Sequence, residues 1–346
     1  MKKLQPTEYT YASARLRALE ARLIGRERME VLIEARSADE VMDRLAEYGM
    51  KPAEEAEGLS PKGASLGETV SAAREAMLLE VLRQAYREVE AAVPDPALFR
   101  YFRYPYDCNN IKAAIKCAIR GISPSDMLFD FGTVPADRVE TLIREGDYKT
   151  WPTAMAAAIP EAKEAYDKTG DPRRIDTVLD KACYADMLAA AKATGDETLM
   201  GWLSARVDLT NLLMTLRLLR MSMGAVGEAF LEESLLPGGT LTASFLLDLY
   251  ASGEAKLWDA LIPTPYHKLS RVEGDPRPLS AVEKACDDLY VEMVREGARI
   301  PFGAPVVGGY LIGCETAVKN IRILLAAKDA GLSPEVIRER IRVSYV

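Results

Sequence analysis

The chain repeats itself. DCNNIKAAIKCAIRG (107–121), DLTNLLMTLRLLRMSMG (208–224) and AVKNIRILLAAKDAG (317–331) superpose on Asn110, Asn211 and Asn320. Each asparagine leads an apolar set at helical spacing: Ile111, Ile115 and Ile119, then Leu212, Leu216 and Leu219, then Ile321, Leu324 and Leu325. Each stretch closes on a glycine, Gly121, Gly224 or Gly331. Glycine is the residue that takes the left-handed conformation past a helix at least cost. After the first and third glycines, Ser123-Pro124 and Ser333-Pro334 offer a capping serine and a first-turn proline for the next helix.

A second series runs in the same order. Gly132-Thr133, Gly146 and Trp151 recur at one constant offset as Gly239-Thr240, Gly253 and Trp258. Further on, LDKACYADML (179–188) resembles VEKACDDLYVEM (282–293), matching Cys183 with Cys286. Long segments rich in Ala, Leu, Glu, Lys and Arg predict helix nearly throughout, and alternating β-branched runs are scarce. Breaks are predicted at 49–67, 93–96, 234–240 and 262–280. The expected fold is all-α, with three homologous helical lobes over 1–121, 122–224 and 225–346. The tail SPEVIRERIRVSYV resembles the start of a further unit and is expected to pack against the first lobe.

Within the repeats, Asp107 and Asp208 precede their asparagines by three residues and are expected to cap the helix start. The asparagine then falls in the first turn, where its amide can satisfy backbone groups of an adjoining segment that are costly to bury alone. The third copy has Ala317 at the aspartate position, so its helix is expected to begin earlier, near Gly313. Lys112, Lys116 and Arg120 share one helix face that is not cationic in the other copies. They are read either as a solvated face or as a contact for an acidic partner surface. Gly308-Gly309 inside a predicted helix costs about 1 kcal/mol per glycine relative to alanine, which implies close helix packing as compensation.

Several function classes are excluded. A net charge of −8 opposes general nucleic-acid binding. The opening MKKLQPTEYTYASARLRALE lacks a signal-peptide core, and no apolar run is long enough to span a bilayer. Membrane association is therefore expected only through partners. The five cysteines, Cys108, Cys117, Cys183, Cys286 and Cys314, show no metal-ligand spacing and fit reduced, buried thiols. The single histidine, His267, lies in a turn-rich loop without a GxSxG serine anywhere to serve. There is no phosphate-cradling P-loop, and Asp287-Asp288 does not extend to a magnesium-binding DDxxD. No catalytic residue, metal or cofactor is expected.

With these residues laid out, the chain resembles the C subunit of the A/V-type rotary ATPases, the counterpart of the d subunit of eukaryotic V-ATPase. The resemblance runs from YTYASARLRALEARLI (9–24) through YPYDCNNIKAAIKCAIRG and VDLTNLLMTLRLLR to the closing PFGAPVVGGYLIGCETAVKNIRILLAAKDAGLSPEVIRERIRVSYV. The family pattern places lysine before Glu315, where this chain has Cys314, so a salt bridge from that lysine is not expected. The resemblance implies a funnel of three pseudo-threefold lobes. One mouth would receive the rotor shaft made by the D and F subunits, and the other end would sit on the membrane proteolipid ring at its cytoplasmic face. Such a protein couples ATP hydrolysis or synthesis to proton or sodium movement and catalyses nothing. The competing reading is a helical repeat scaffold that binds peptides or other proteins along a concave face.

Overall fold

Apolar spacing of three to four residues becomes helix along the whole described chain, and no strand occurs among the described residues. The computed structural model describes residues 4–50 and 66–346, so most of the break predicted at 49–67 lies outside the described residues. The helices begin with α1 (Thr10–Glu20), α2 (Arg26–Ile33), α3 (Ala38–Glu47) and α4 (Leu66–Ala92). Next come α5 (Tyr104–Arg120), α6 (Ala136–Glu145), α7 (Thr153–Thr169) and α8 (Arg173–Thr194). They are followed by α9 (Glu197–Met221), α10 (Gly224–Ser234), α11 (Ala243–Ser252) and α12 (Glu254–Leu261). The last three are α13 (Leu279–Glu296), α14 (Ala304–Asp329) and α15 (Pro334–Arg340).

These helices group into two compact units. Residues 5–96 and 283–346 form a terminal unit, and residues 97–282 form the body of a central unit, with α13 crossing the boundary. In the terminal unit α14 is the central helix, packed by α1, α3 and α4. Its stretch APVVGGYLIGC carries no charge, and every residue of it is buried, as an all-round apolar helix requires. Gly308 and Gly309 lie inside this buried stretch. At Gly313 a Cβ would stand 2.5 Å from the Tyr345 ring and 3.2 Å from Leu23, so the helix is approached too closely for a side chain there. In the central unit α7 and α8 form a long antiparallel pair, and α5 packs across them. Ile111, Ile115, Met155, Ile159, Ile175 and Leu179 fill the space between them.

The helix ends vary more than the repeats predict. Gly121 closes α5 in the left-handed region, and Gly331 does the same just after α14. After α9 Ser222 already turns left-handed (φ 52°), and Gly224 does so too (φ 55°) as it opens α10. Ser123-Pro124 leads only into a short 3₁₀ turn, Ser125–Met127, whereas Ser333-Pro334 starts α15 as expected. The apolar sets are buried at Ile111, Ile115, Leu212, Leu216, Ile321, Leu324 and Leu325. Ile119, in the last turn of α5, is instead 43% exposed.

Candidate functional site: three asparagine clamps

The three repeated asparagines do one thing three times. Asn110 donates from Nδ2 to the Phe129 carbonyl and accepts from the Phe129 N–H, both at 2.8 Å. Asn211 holds Leu236 in the same two-point manner, at 3.0 and 2.9 Å. Asn320 holds Arg342, at 2.9 and 2.9 Å. A carboxamide carries a donor and an acceptor side by side, so it can pair with one residue's C=O and N–H as a neighbouring strand would. All three are buried, because each directly precedes its helix's apolar stripe and shares its inward face. The segment returning after each helix is thereby fixed to it. Replacing Asn211 with leucine leaves two main-chain groups of Leu236 unpaired and is expected to cost about 3 kcal/mol. A melting temperature equal to that of the unsubstituted protein would show that the clamp carries no stability.

The aspartates do something other than cap. Asp107 lies in the first turn of α5, which starts at Tyr104 with a proline beside it, but its carboxylate turns away from its own helix. It accepts from the Thr133 N–H at 2.9 Å, the Thr133 hydroxyl at 2.7 Å and the Val134 N–H at 3.1 Å. Asp208 is far from any helix start, because α9 begins at Glu197 and is capped by Asp196 through the N–H groups of Thr198 and Leu199. Its carboxylate accepts from the Thr240 N–H at 2.9 Å, the Thr240 hydroxyl at 2.5 Å, the Leu241 N–H at 3.0 Å and the Tyr266 hydroxyl at 2.6 Å. Burial pushes the Asp107 carboxyl above its usual range, against the opposing pull of the Thr133 and Val134 donors and the Arg103 charge. Burial likewise raises the Tyr266 phenol, reinforced by Asp208 beneath it.

The Gly-Thr pairs are thus the partners of the aspartates. This relation was present in the sequence, since copies one and two have both features and copy three, with Ala317, has neither. The third helix begins at Ala304, earlier than the expected Gly313, so Asn320 also stands well inside its helix. Asn211 and Asn320 therefore clamp from mid-helix, and Asn110 from the second turn of α5, so none stands in the first turn where it was expected.

Of the cationic face, Lys112 pairs with Asp180 at 2.6 Å and Lys116 with Asp176 at 2.5 Å, both on α8 of the same unit. Arg120 is exposed. Asp287 receives Lys319 and Arg342, and Asp288 receives Lys284 and the Val343 N–H. His267 sits in a 3₁₀ turn against the Thr264 carbonyl. All five cysteines are buried and unbridged, and burial pushes the Cys314 thiol up to about 12. Glu315, beside it, instead accepts from the Tyr86 hydroxyl at 3.3 Å. Among the described residues no group of three acidic, histidine or cysteine side chains could hold a metal ion, and no helix is long and apolar enough to cross a membrane.

Residues 12–340 match the model of one family, described as the ATP synthase (C/AC39) subunit. The chain belongs to that family. Among these ATP synthase (C/AC39) proteins, the C subunit of the A-type ATP synthase of Thermococcus kodakarensis is 25% identical over 341 residues, spanning 96% of this chain and 90% of that protein. The C subunit of the V-type sodium ATPase of Enterococcus hirae is 21% identical over 273 residues, spanning 78% and 82%. The C subunit of the V-type ATP synthase of Thermus thermophilus is 24% identical over 243 residues, spanning 68% and 71%. The family resemblance drawn from the asparagine helices and the closing segment is therefore correct, and the all-helical architecture agrees with the expected fold class.

Proposed function

We propose that this chain is a non-catalytic component of the central stalk of a V/A-type rotary ATPase. Its three homologous lobes would form a pseudo-threefold funnel that receives the shaft of the D and F subunits. Its other end would rest on the proteolipid ring at the cytoplasmic side of the membrane and pass torque between the two. The observation that carries this reading is the family match over residues 12–340, which leaves almost none of the chain for another purpose. The chemistry supports it. The buried Asp107, Asp208 and three clamp asparagines are spent on main-chain and hydroxyl groups, which suits a part that must resist shear rather than react.

Exposed apolar side chains near the ends of two equivalent helices also support a partner there: Ile122 and Met127 after α5, Met221 and Val226 around the end of α9. With Lys112 and Lys116 already paired, any electrostatic contact from that face falls to Arg120. Arg120→Glu is expected to weaken shaft binding at low salt and to have little effect at high salt. Equal affinity at both salts would remove Arg120 from the interface. The decisive test of the role is co-purification of the tagged chain from cells expressing the whole complex. Recovery of the D and F proteins with the proteolipid ring is expected; recovery of assorted peptides without them would favour the scaffold reading.

A further inference from the structure

In the first repeat the chain runs from the clamped Phe129 into α6, which buries Val139, Leu142 and Ile143. In the second it runs from the clamped Leu236 through to α11, which buries Leu246, Leu249 and Tyr250. Val139 follows Phe129, and Leu246 follows Leu236, by the same ten residues. In the third repeat the clamped Arg342 leads to Val346, whose carbonyl oxygen would stand 3.2 Å from a Cβ on Gly25. Gly25 is the residue before α2, and α2 buries Met29, Leu32 and Ile33 at the same one-four-five spacing. The sequences agree in that register: Arg28, Glu30, Leu32 and Ile33 of α2 match Arg138, Glu140, Leu142 and Ile143 of α6. One element on, Val41 of α3 is buried where Trp151 and Trp258 are buried in the other two copies.

We propose that α2 and α3 are the second half of the third repeat, and that residues 341–346 act as a non-covalent strap joining them to α14. The strap is held at Arg342, Val343 and Tyr345. Asn320 takes the Arg342 backbone, Asp287 the Arg342 side chain at 2.9 Å and Asp288 the Val343 N–H at 2.6 Å. Tyr345 packs its ring on Gly313 and donates its hydroxyl to the buried Glu20 at 3.1 Å. On the far side, Arg338 of α15 pairs with Glu30 of α2 at 2.9 Å, and Lys328 of α14 donates to the Ile33 and Ala35 carbonyls at the end of α2. Where the first two repeats continue by peptide bonds, the third continues by these contacts. Releasing the strap therefore leaves α2 and α3 held to α14 only by the packing of α3 and the Lys328 contacts, a local loosening that the peptide links of the first two repeats oppose.

Hydrogen exchange on the full-length protein tests this without any other rotor component, so its outcome is independent of the rotary role. In Asn320→Ala, amides of 341–346 and of 26–47 are expected to exchange at least tenfold faster together, while those of 136–145 keep their rates. Asn110→Ala should speed exchange only over 129–134, with 136–145 and 26–47 both unchanged, because α6 stays joined to the clamped segment by the peptide chain. Acceleration confined to 341–346 in Asn320→Ala overturns the proposal. Should that variant not fold, Tyr345→Phe removes only the hydroxyl to Glu20. Joint acceleration of 341–346 and 26–47 then supports the strap, and unchanged rates over 26–47 overturn it.

Discussion

Replacing Asp208 with alanine is expected to destabilise the central unit by about 4 kcal/mol, since each buried donor left without its acceptor costs roughly 1–3 kcal/mol. Four donors converge on this one carboxylate: two main-chain N–H groups and the hydroxyls of Thr240 and Tyr266. The side chain is wholly buried, so water cannot simply replace it. At roughly 2–4 °C per kcal/mol for a unit of this size, the melting transition should fall by about 12 °C. Asp208→Asn keeps the shape but turns an NH₂ toward groups that need an acceptor, and should lose most of the same stability. Asp107→Ala should cost less, about 3 kcal/mol, because its carboxylate takes the Thr133 N–H and hydroxyl and the Val134 N–H, whereas that of Asp208 also takes the Tyr266 hydroxyl. Far-UV circular dichroism melts of the four proteins decide the matter. Equal midpoints for Asp208→Ala and the unsubstituted chain would mean that the four contacts contribute nothing.

The second large effect is expected at glycines whose backbone is ordinary. Neither Gly132 nor Gly239 has a positive φ, so left-handed geometry is not the reason for glycine. The reason is space. A Cβ at Gly132 would stand 2.3 Å from Oδ1 of Asp107, and one at Gly239 would stand 2.1 Å from Oδ1 of Asp208. Gly239→Ala is therefore expected to cost about 2–3 kcal/mol through forced displacement of the buried carboxylate. The cause can be isolated with a double-mutant cycle. Once Asp208 is alanine there is nothing to displace, so adding Gly239→Ala should then cost under about 1 kcal/mol, leaving a coupling of roughly 2 kcal/mol. A full-sized penalty in both backgrounds would place the strain elsewhere, for instance against Val207, 3.2 Å from the same Cβ.

Both substitutions probe contacts that the sequence only half disclosed. The helices themselves were legible, because Ile111, Leu212 and Ile321 repeat one apolar face and glycine or serine ends each run. The helix starts were not. An aspartate three residues before a clamp asparagine has the chemistry of a cap, yet the good helix formers Leu199, Met200, Leu203, Ala205 and Arg206 lie upstream of Asp208 and carry α9 past it. Its true partners are 32, 33 and 58 residues away, beyond any local pattern. The pairing of Lys112 and Lys116 with α8 was more accessible, since Asp176 and Asp180 have the same four-residue spacing as the two lysines they meet. The grouping of residues 5–96 with 283–346 has no marker in composition, because it depends on contacts between distant parts of the chain.

The clamps grip Phe129, Leu236 and Arg342, an aromatic, an aliphatic and a cationic residue, yet each asparagine makes its hydrogen bonds to the peptide groups. Side-chain identity at the gripped position is thus invisible to the residue that grips it. A substitution at a gripped position therefore leaves the joint intact, whereas one at the asparagine does not. At these joints the three segments accordingly share the fastener, and not what it fastens.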